Sequence, residues 1–102
     1  MLQINTEKDN NTLTVTLEGH LNADTAPGLE ERINEELEGV TELCFDLKEL
    51  VYISSAGLRV LLASQKKMNK QGAMVIKNVT KEVWDIMTIT GFSDIFAFEQ
   101  EE

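Results

Sequence analysis

The segment Tyr52-Ile53-Ser54-Ser55-Ala56-Gly57-Leu58-Arg59-Val60 sets two hydroxyls and a glycine where an apolar run meets the first turn of an amphipathic helix. Backbone N–H groups in a first turn lack intrahelical partners and carry the positive end of the macrodipole. A hydroxyl there can be turned into a phosphate ester without disturbing the core. Ser55 is therefore the first candidate for modification, and Ser54 can cap the helix through its side-chain oxygen. Gly57, lacking a side chain, lets another backbone approach the helix start. Leu58 either packs inward or lies partly exposed in a docking patch, and Arg59 presents a guanidinium fork suited to carboxylates.

Other chemistry is scarce. There is one histidine, His20 beside Gly19, and one cysteine, Cys44, inside the apolar run Leu43-Cys44-Phe45. Ser54 and Ser55 occupy a strand-to-helix turn like a nucleophile elbow, but the flanking Gly-x-Ser-x-Gly is absent and only His20 offers a base. No CxxC, HExxH, EF-hand loop or phosphate-binding GxxxxGK[ST] is present. The expectation is a binding protein rather than an enzyme, with no catalytic residue, no metal site and no cofactor.

The 102 residues suffice for one domain, 1–102, with a core that folds without staples. Eighteen acidic against nine basic side chains give a net charge of −9, which opposes nucleic acid and anionic lipid. No apolar run is long enough to span a bilayer, and Met1-Leu2-Gln3-Ile4-Asn5 does not read as a signal peptide. A lone cysteine in an apolar context fits a small buried hydrophobe in a reducing cytoplasm, the expected location.

The elements that must position the serines follow from periodicity. Leu2 to Thr6 and Leu13 to Glu18 read as a hairpin around Lys8-Asp9-Asn10-Asn11, with Leu13, Val15 and Leu17 alternating with threonines. Asp24-Thr25-Ala26-Pro27 starts a helix, Asp or Thr capping, whose inner face is Leu29, Ile33 and Leu37 and which stops at Gly39. Thr41 to Leu47, nearly continuous in apolar residues, predicts a central strand buried on both faces. A helix follows from Ser55, with Leu58, Leu61, Leu62, Gln65 and Met68 at helical spacing before Gly72. Ala73 to Lys77 predicts a strand, Thr80 to Thr90 a helix with Val83, Ile86 and Met87 inward, and Ile95 to Phe98 a last strand. Trp84 either packs against that strand or serves a partner surface. The fold class is α/β: an opening β-hairpin, then alternating helices and mostly parallel strands in a single small sheet with helices packed on it.

This order, with Phe45-Asp46-Leu47, Ser54-Ser55-Ala56-Gly57-Leu58, Gly72 and Thr90-Gly91-Phe92, resembles the STAS domain family over nearly the whole chain. The likeness is to the stand-alone anti-sigma factor antagonists of bacteria. Their motif, commonly Asp-Ser-(Ser/Thr)-Gly-Leu, falls on residues 54–58, with Ser55 in the phosphoacceptor place. Two positions depart from the pattern: Ser54 stands where the acidic residue precedes the acceptor, and Asn22 stands where many relatives carry Asp. The resemblance implies partner contacts from Asn22, Asp24, Thr25, Ser54, Ala56, Gly57, Leu58 and Arg59. It also implies an anti-sigma factor serine kinase as partner, holding the nucleotide itself, and a serine phosphatase that resets Ser55. Unmodified antagonist would bind the kinase and release the sigma factor; phosphorylation would reverse this. Another use of the same fold is a small subunit or scaffold of a membrane-associated transport or signalling complex, without serine phosphorylation. The retained serine and compact length favour the antagonist, and the lost acidic residue favours the scaffold.

Overall fold

The alternation of residues 12–17 builds β2 (Thr12–Leu21), which buries Leu13, Val15 and Leu17 and leaves Thr12, Thr14 and Thr16 half-buried. It pairs antiparallel with β1 (Leu2–Asp9) around the turn Asn10-Asn11, where Asn10 takes a left-handed φ of 58° that asparagine tolerates. The computed structural model describes residues 1–99, so the last three residues of the expected domain 1–102 lie outside the described residues. After the hairpin come α1 (Ala26–Glu36), β3 (Glu42–Ile53), α2 (Ser55–Gln71), β4 (Ala73–Lys77), α3 (Lys81–Ile89), a 3-10 turn (Phe92–Asp94) and β5 (Phe98–Glu99). The sheet order is β1-β2-β3-β4-β5, antiparallel only at β1/β2 and parallel elsewhere, as the alternation of strands and helices predicts.

The central strand differs from expectation in two ways. It runs to Ile53 rather than Leu47, because Lys48 and Glu49 turn outward while Leu50 and Ile53 return to the core. Register shifts at Thr16/Glu18 and Gly19/His20 absorb the irregularity and keep β3 paired with β2 to its end. Nor is it covered on both faces. Leu43, Phe45 and Leu47 share the buried face with Leu13, Val15, Leu17, Met74 and Ile76, in one cluster with the inner faces of all three helices. On the opposite face Thr14, Thr16, Asp46, Val75 and Lys77 are only half-buried. Cys44 is buried there by position, between Thr14 and Val75 on the neighbouring strands.

The helices hold closer to their patterns. Leu29 and Ile33 anchor α1, which ends at Glu36, ahead of Gly39. In α2, Leu58, Leu61 and Met68 are buried as the spacing requires, joined by Gly57, Val60 and Ser64. Gly72 ends α2 for want of room: a Cβ there would lie 1.9 Å from the Thr41 carbonyl oxygen. Thr80 caps α3 by accepting from the Val83 N–H, and Val83 and Met87 point inward with Ile86 half-buried. The last strand is Phe98–Glu99, not 95–98, because Phe92–Asp94 coils into the 3-10 turn first. Trp84 packs edge-on against Phe98 with ring centroids 5.0 Å apart and keeps 39% exposure.

A polar clamp ties the edge strand to α1. Arg32 Nε donates to Glu36 Oε2 at 2.8 Å, and Thr6 Oγ1 donates to the same oxygen at 3.0 Å. The Arg32 hydrogen bond, supported by Thr6 and by the charges of Arg32 and Lys8, holds the Glu36 carboxyl below its ordinary value of 4.5 despite some desolvation. A depressed folded pKa adds stability that is present above the unfolded value and is lost as pH falls through the folded one. Arg32 is exposed enough that screening keeps the gain under about 1 kcal/mol. Glu36→Gln should therefore lower urea-denaturation stability by a few tenths to about 1 kcal/mol at pH 7. The gap should close as pH is lowered below 4.5; a gap that persists unchanged at the acid end would mean the charge contributes nothing.

Candidate partner-docking and modification site

The parallel pairing of β2 with β3 sets His20 opposite Tyr52 and Leu21 opposite Ile53, so both strands finish side by side. The two turns into helices, β2 to α1 and β3 to α2, therefore leave the same end of the sheet, the carboxyl end at which open α/β sheets present their sites. The Ser54 N–H donates to the Leu21 carbonyl at 2.8 Å and fastens one turn to the other.

Within the β3–α2 turn the two serines divide the work. Ser54, extended at φ −98° and ψ 176°, is the N-cap, and its hydroxyl accepts from the Gly57 N–H at 3.4 Å. Ser55 opens the helix and is exposed, so its hydroxyl is reachable without unfolding a turn. First-turn N–H groups face the same side.

Gly57 is buried, and a Cβ on it would lie 2.6 Å from Leu21 Cγ and 2.9 Å from Ile53 Cγ1. Its lack of a side chain serves the approach of α2 to the strand ends rather than the approach of a partner. Leu58 is 1% exposed and belongs to the core. Of the two places open to Leu58 the structure shows the inward one, and the side-chain positions of both Gly57 and Leu58 face inward and hold the rim in place from behind.

The β2–α1 turn is braced by its own side chains. Asn22 Oδ1 accepts from the Asp24 N–H at 3.0 Å and the Thr25 N–H at 3.1 Å, and the Asn22 carbonyl accepts from Ala26 N–H at 2.8 Å. Thr25 holds the N-cap position without a side-chain cap; its hydroxyl instead donates to the His20 carbonyl and accepts from the Asn22 N–H, both at 2.9 Å. The side-chain cap expected from Asp24 or Thr25 is not made; Asn22 Oδ1 instead satisfies N–H groups of the turn that leads into α1. The bonds at Asn22 Oδ1, including one from the Thr25 hydroxyl at 3.3 Å, are all accepted ones, so a carboxylate would make them too, and Asn in place of Asp preserves the turn while removing a charge. The same holds at Ser54, since Ser and Asp cap equally well.

Between the two helix starts lies a groove of about 280 Å³ lined by Ala23, Ala26, Pro27, Glu30, Ala56, Arg59 and Val60. Asp24, Ser55 and Arg59 are exposed around it, and Asn22, Thr25, Ser54 and Ala56 are half-buried. The fold therefore brings all the expected residues to one end of the sheet. Sequence reasoning missed Ala23, Ala26, Pro27, Glu30 and Val60, which only the packing of α1 on α2 brings together. Val51 and Tyr52, 55% and 43% exposed, lie just before the serines on the part of β3 beyond Leu47.

Five strands ordered β1 to β5, with paired helix starts at one sheet end, define a small α/β domain. The chain belongs to the STAS domain family, whose family model matches residues 3–102. A Bordetella bronchiseptica protein, BtrV, named as a candidate anti-sigma factor antagonist, is 33% identical over 97 residues, 93% of this chain and 84% of that protein. The anti-sigma-B factor antagonist of Bacillus subtilis is 27% identical over 95 residues, 92% and 87% of the two chains. Among solved structures, an anti-sigma factor antagonist from Mycobacterium paratuberculosis matches with a TM-score of 0.86 at 22% identity, covering 96% of this chain and 85% of that one. The Bacillus cell fate determinant SpoIIAA in its phosphorylated form matches with a TM-score of 0.78 at 14% identity, covering 98% and 92%. No helix among the described residues is long and apolar enough to cross a membrane.

If Gly57 is a packing requirement, Gly57→Ala should cost about 1–3 kcal/mol in chemical denaturation, as α2 backs away from Leu21 and Ile53. A loss below about 0.5 kcal/mol would mean that the strand ends yield freely.

Proposed function

We propose that this chain is an anti-sigma factor antagonist, a binding module and not an enzyme, switched by phosphorylation of Ser55. In the unmodified form it binds an anti-sigma factor that is also a serine kinase and so releases the sigma factor for transcription. The kinase holds ATP: Ser55 Oγ attacks the γ-phosphorus, the bond to the bridging oxygen breaks, ADP leaves, and the hydroxyl proton passes to a base on the kinase. A serine phosphatase restores the hydroxyl. The domain acts in the cytoplasm and needs no cofactor of its own.

The observation that carries this reading is the exposed Ser55 hydroxyl at the start of α2, relieved of capping by Ser54, in a chain whose relatives are anti-sigma factor antagonists. The docking surface is the rim around the groove: Asp24, Ser55 and Arg59 outermost, with Asn22, Thr25, Ser54 and Ala56 between them. Phosphoserine brings about −1.5 to −2 charges, and the helix start accommodates them. Against a partner anion about 6 Å away, at an effective dielectric of about 20, one unit charge costs about 3 kcal/mol. That is roughly a hundredfold in affinity.

The test is a pull-down from host lysate with wild-type, Ser55→Asp and Ser55→Ala baits, retained proteins being identified by mass spectrometry. Wild type and Ser55→Ala should recover a serine kinase, and Ser55→Asp should bind it about ten- to a hundredfold more weakly. Its thermal midpoint should stay within about 4 °C of wild type. Recovery of transport or signalling subunits equally by all three baits would refute the switch in favour of a scaffold.

A further inference from the structure

Arg59 lies four residues after Ser55 on α2, and both are exposed. Helix positions i and i+4 bring their Cβ atoms within about 5–6 Å, and an acid placed N-terminal to a base is the favourable order. Arg59 also lines the groove between α1 and α2, where its neighbours are small or apolar apart from Glu30. Ion pairs among the described residues engage Arg32, Lys77 and Lys81 but not Arg59. A guanidinium without a carboxylate partner, in a chain of net charge −9, therefore stands one helical turn from the modifiable hydroxyl.

We propose that Arg59 is the internal counter-ion of phosphorylated Ser55, so that modification adds an anion to the rim and at the same time withdraws a docking cation from it. The inference rests on the reading of Ser55 as a phosphorylation site. A phosphate monoester offers three acceptor oxygens, and the planar fork of arginine meets two of them at once. In the unmodified form Arg59 is free to engage a carboxylate of the partner. In the modified form it is folded back along α2, and the partner meets a patch of net negative charge where it had found a positive one. The other charged side chains at this end of the sheet are Glu30 of α1 and Asp24 of the β2–α1 turn, with His20 at the end of β2, and none is altered by a change at position 59.

The test installs phosphoserine at position 55 during translation, with no kinase involved. The pH titration of its ³¹P resonance is then compared in wild type, Arg59→Gln and Arg59→Lys. Wild type should titrate about half a pH unit below Arg59→Gln, with Arg59→Lys between them. The difference should shrink in about 1 M salt. In the wild-type fold, the Arg59 Nε–H resonance should shift and exchange more slowly on phosphorylation, a readout that involves no substitution. Coincident titrations in all three proteins, with an unmoved Arg59 resonance, would overturn the proposal. Because the phosphate is installed directly, a host lacking any Ser55 kinase would sink the regulatory reading and leave this ion pair standing.

Discussion

Everything at the functional end of the molecule depends on how closely α2 approaches the ends of β2 and β3. The Ser54 N–H bonded to the Leu21 carbonyl fixes the height of the helix start, and the missing side chain of Gly57 fixes its depth. Were the helix displaced outward by the width of a methyl group, the Ser54 cap and the groove beside Ala56 would shift with it. The β2–α1 turn meets the same demand from the other side. It uses Asn22 and Thr25 to satisfy its own backbone, so that α1 begins where it can form the second wall of the groove. Side chains at this rim thus fall into two groups, those that hold the turns and those left over to meet a partner.

That division explains why two departures from the family's pattern are tolerated. At positions 22 and 54 the fold asks for an oxygen that accepts hydrogen bonds from backbone N–H groups, and Asn and Ser supply it as Asp would. What is given up is negative charge, at two places close to Ser55 and Arg59. The rim is correspondingly less acidic than it would be with Asp at those two positions, which makes the guanidinium of Arg59 a larger part of the local field.

Most of the fold was legible because the strong patterns are local. The alternation of β2, the spacing of Leu58, Leu61 and Met68, and the inward face of α3 all follow from nearby residues along the chain. The extension of β3 beyond Leu47 was not legible, because Lys48-Glu49 looks like an end unless one knows that β2 continues alongside through two register shifts. One-sided coverage of the sheet was hidden too: Cys44 reads as core, yet is buried by flanking strands rather than by a helix. At the site, the capping of α2 by Ser54 was legible from its place at the helix start. The inward duty of Gly57 and the lining by Pro27, Glu30 and Val60 were not, since both depend on helix-to-strand and helix-to-helix distances that no local pattern encodes.

The same packing limits how a signal at Ser55 could travel. α2 is about 25 Å long, and it is clamped at both ends. At its start are the Ser54 cap and the Leu21 carbonyl; at its far end Gln71 Nε2 donates to the carbonyls of Leu37 at 2.9 Å and Val40 at 2.6 Å, beyond the end of α1. Between them Leu58, Leu61 and Met68 are almost wholly buried, and a close-packed core has no second arrangement to offer them. A charge added to an exposed hydroxyl on such a rod acts on solvent, the first-turn N–H groups and the charged side chains of the rim, not on the buried face of α2. Among the described residues α2 is thus held at both ends and along its buried face, so a change at Ser55 would act locally, at the rim itself.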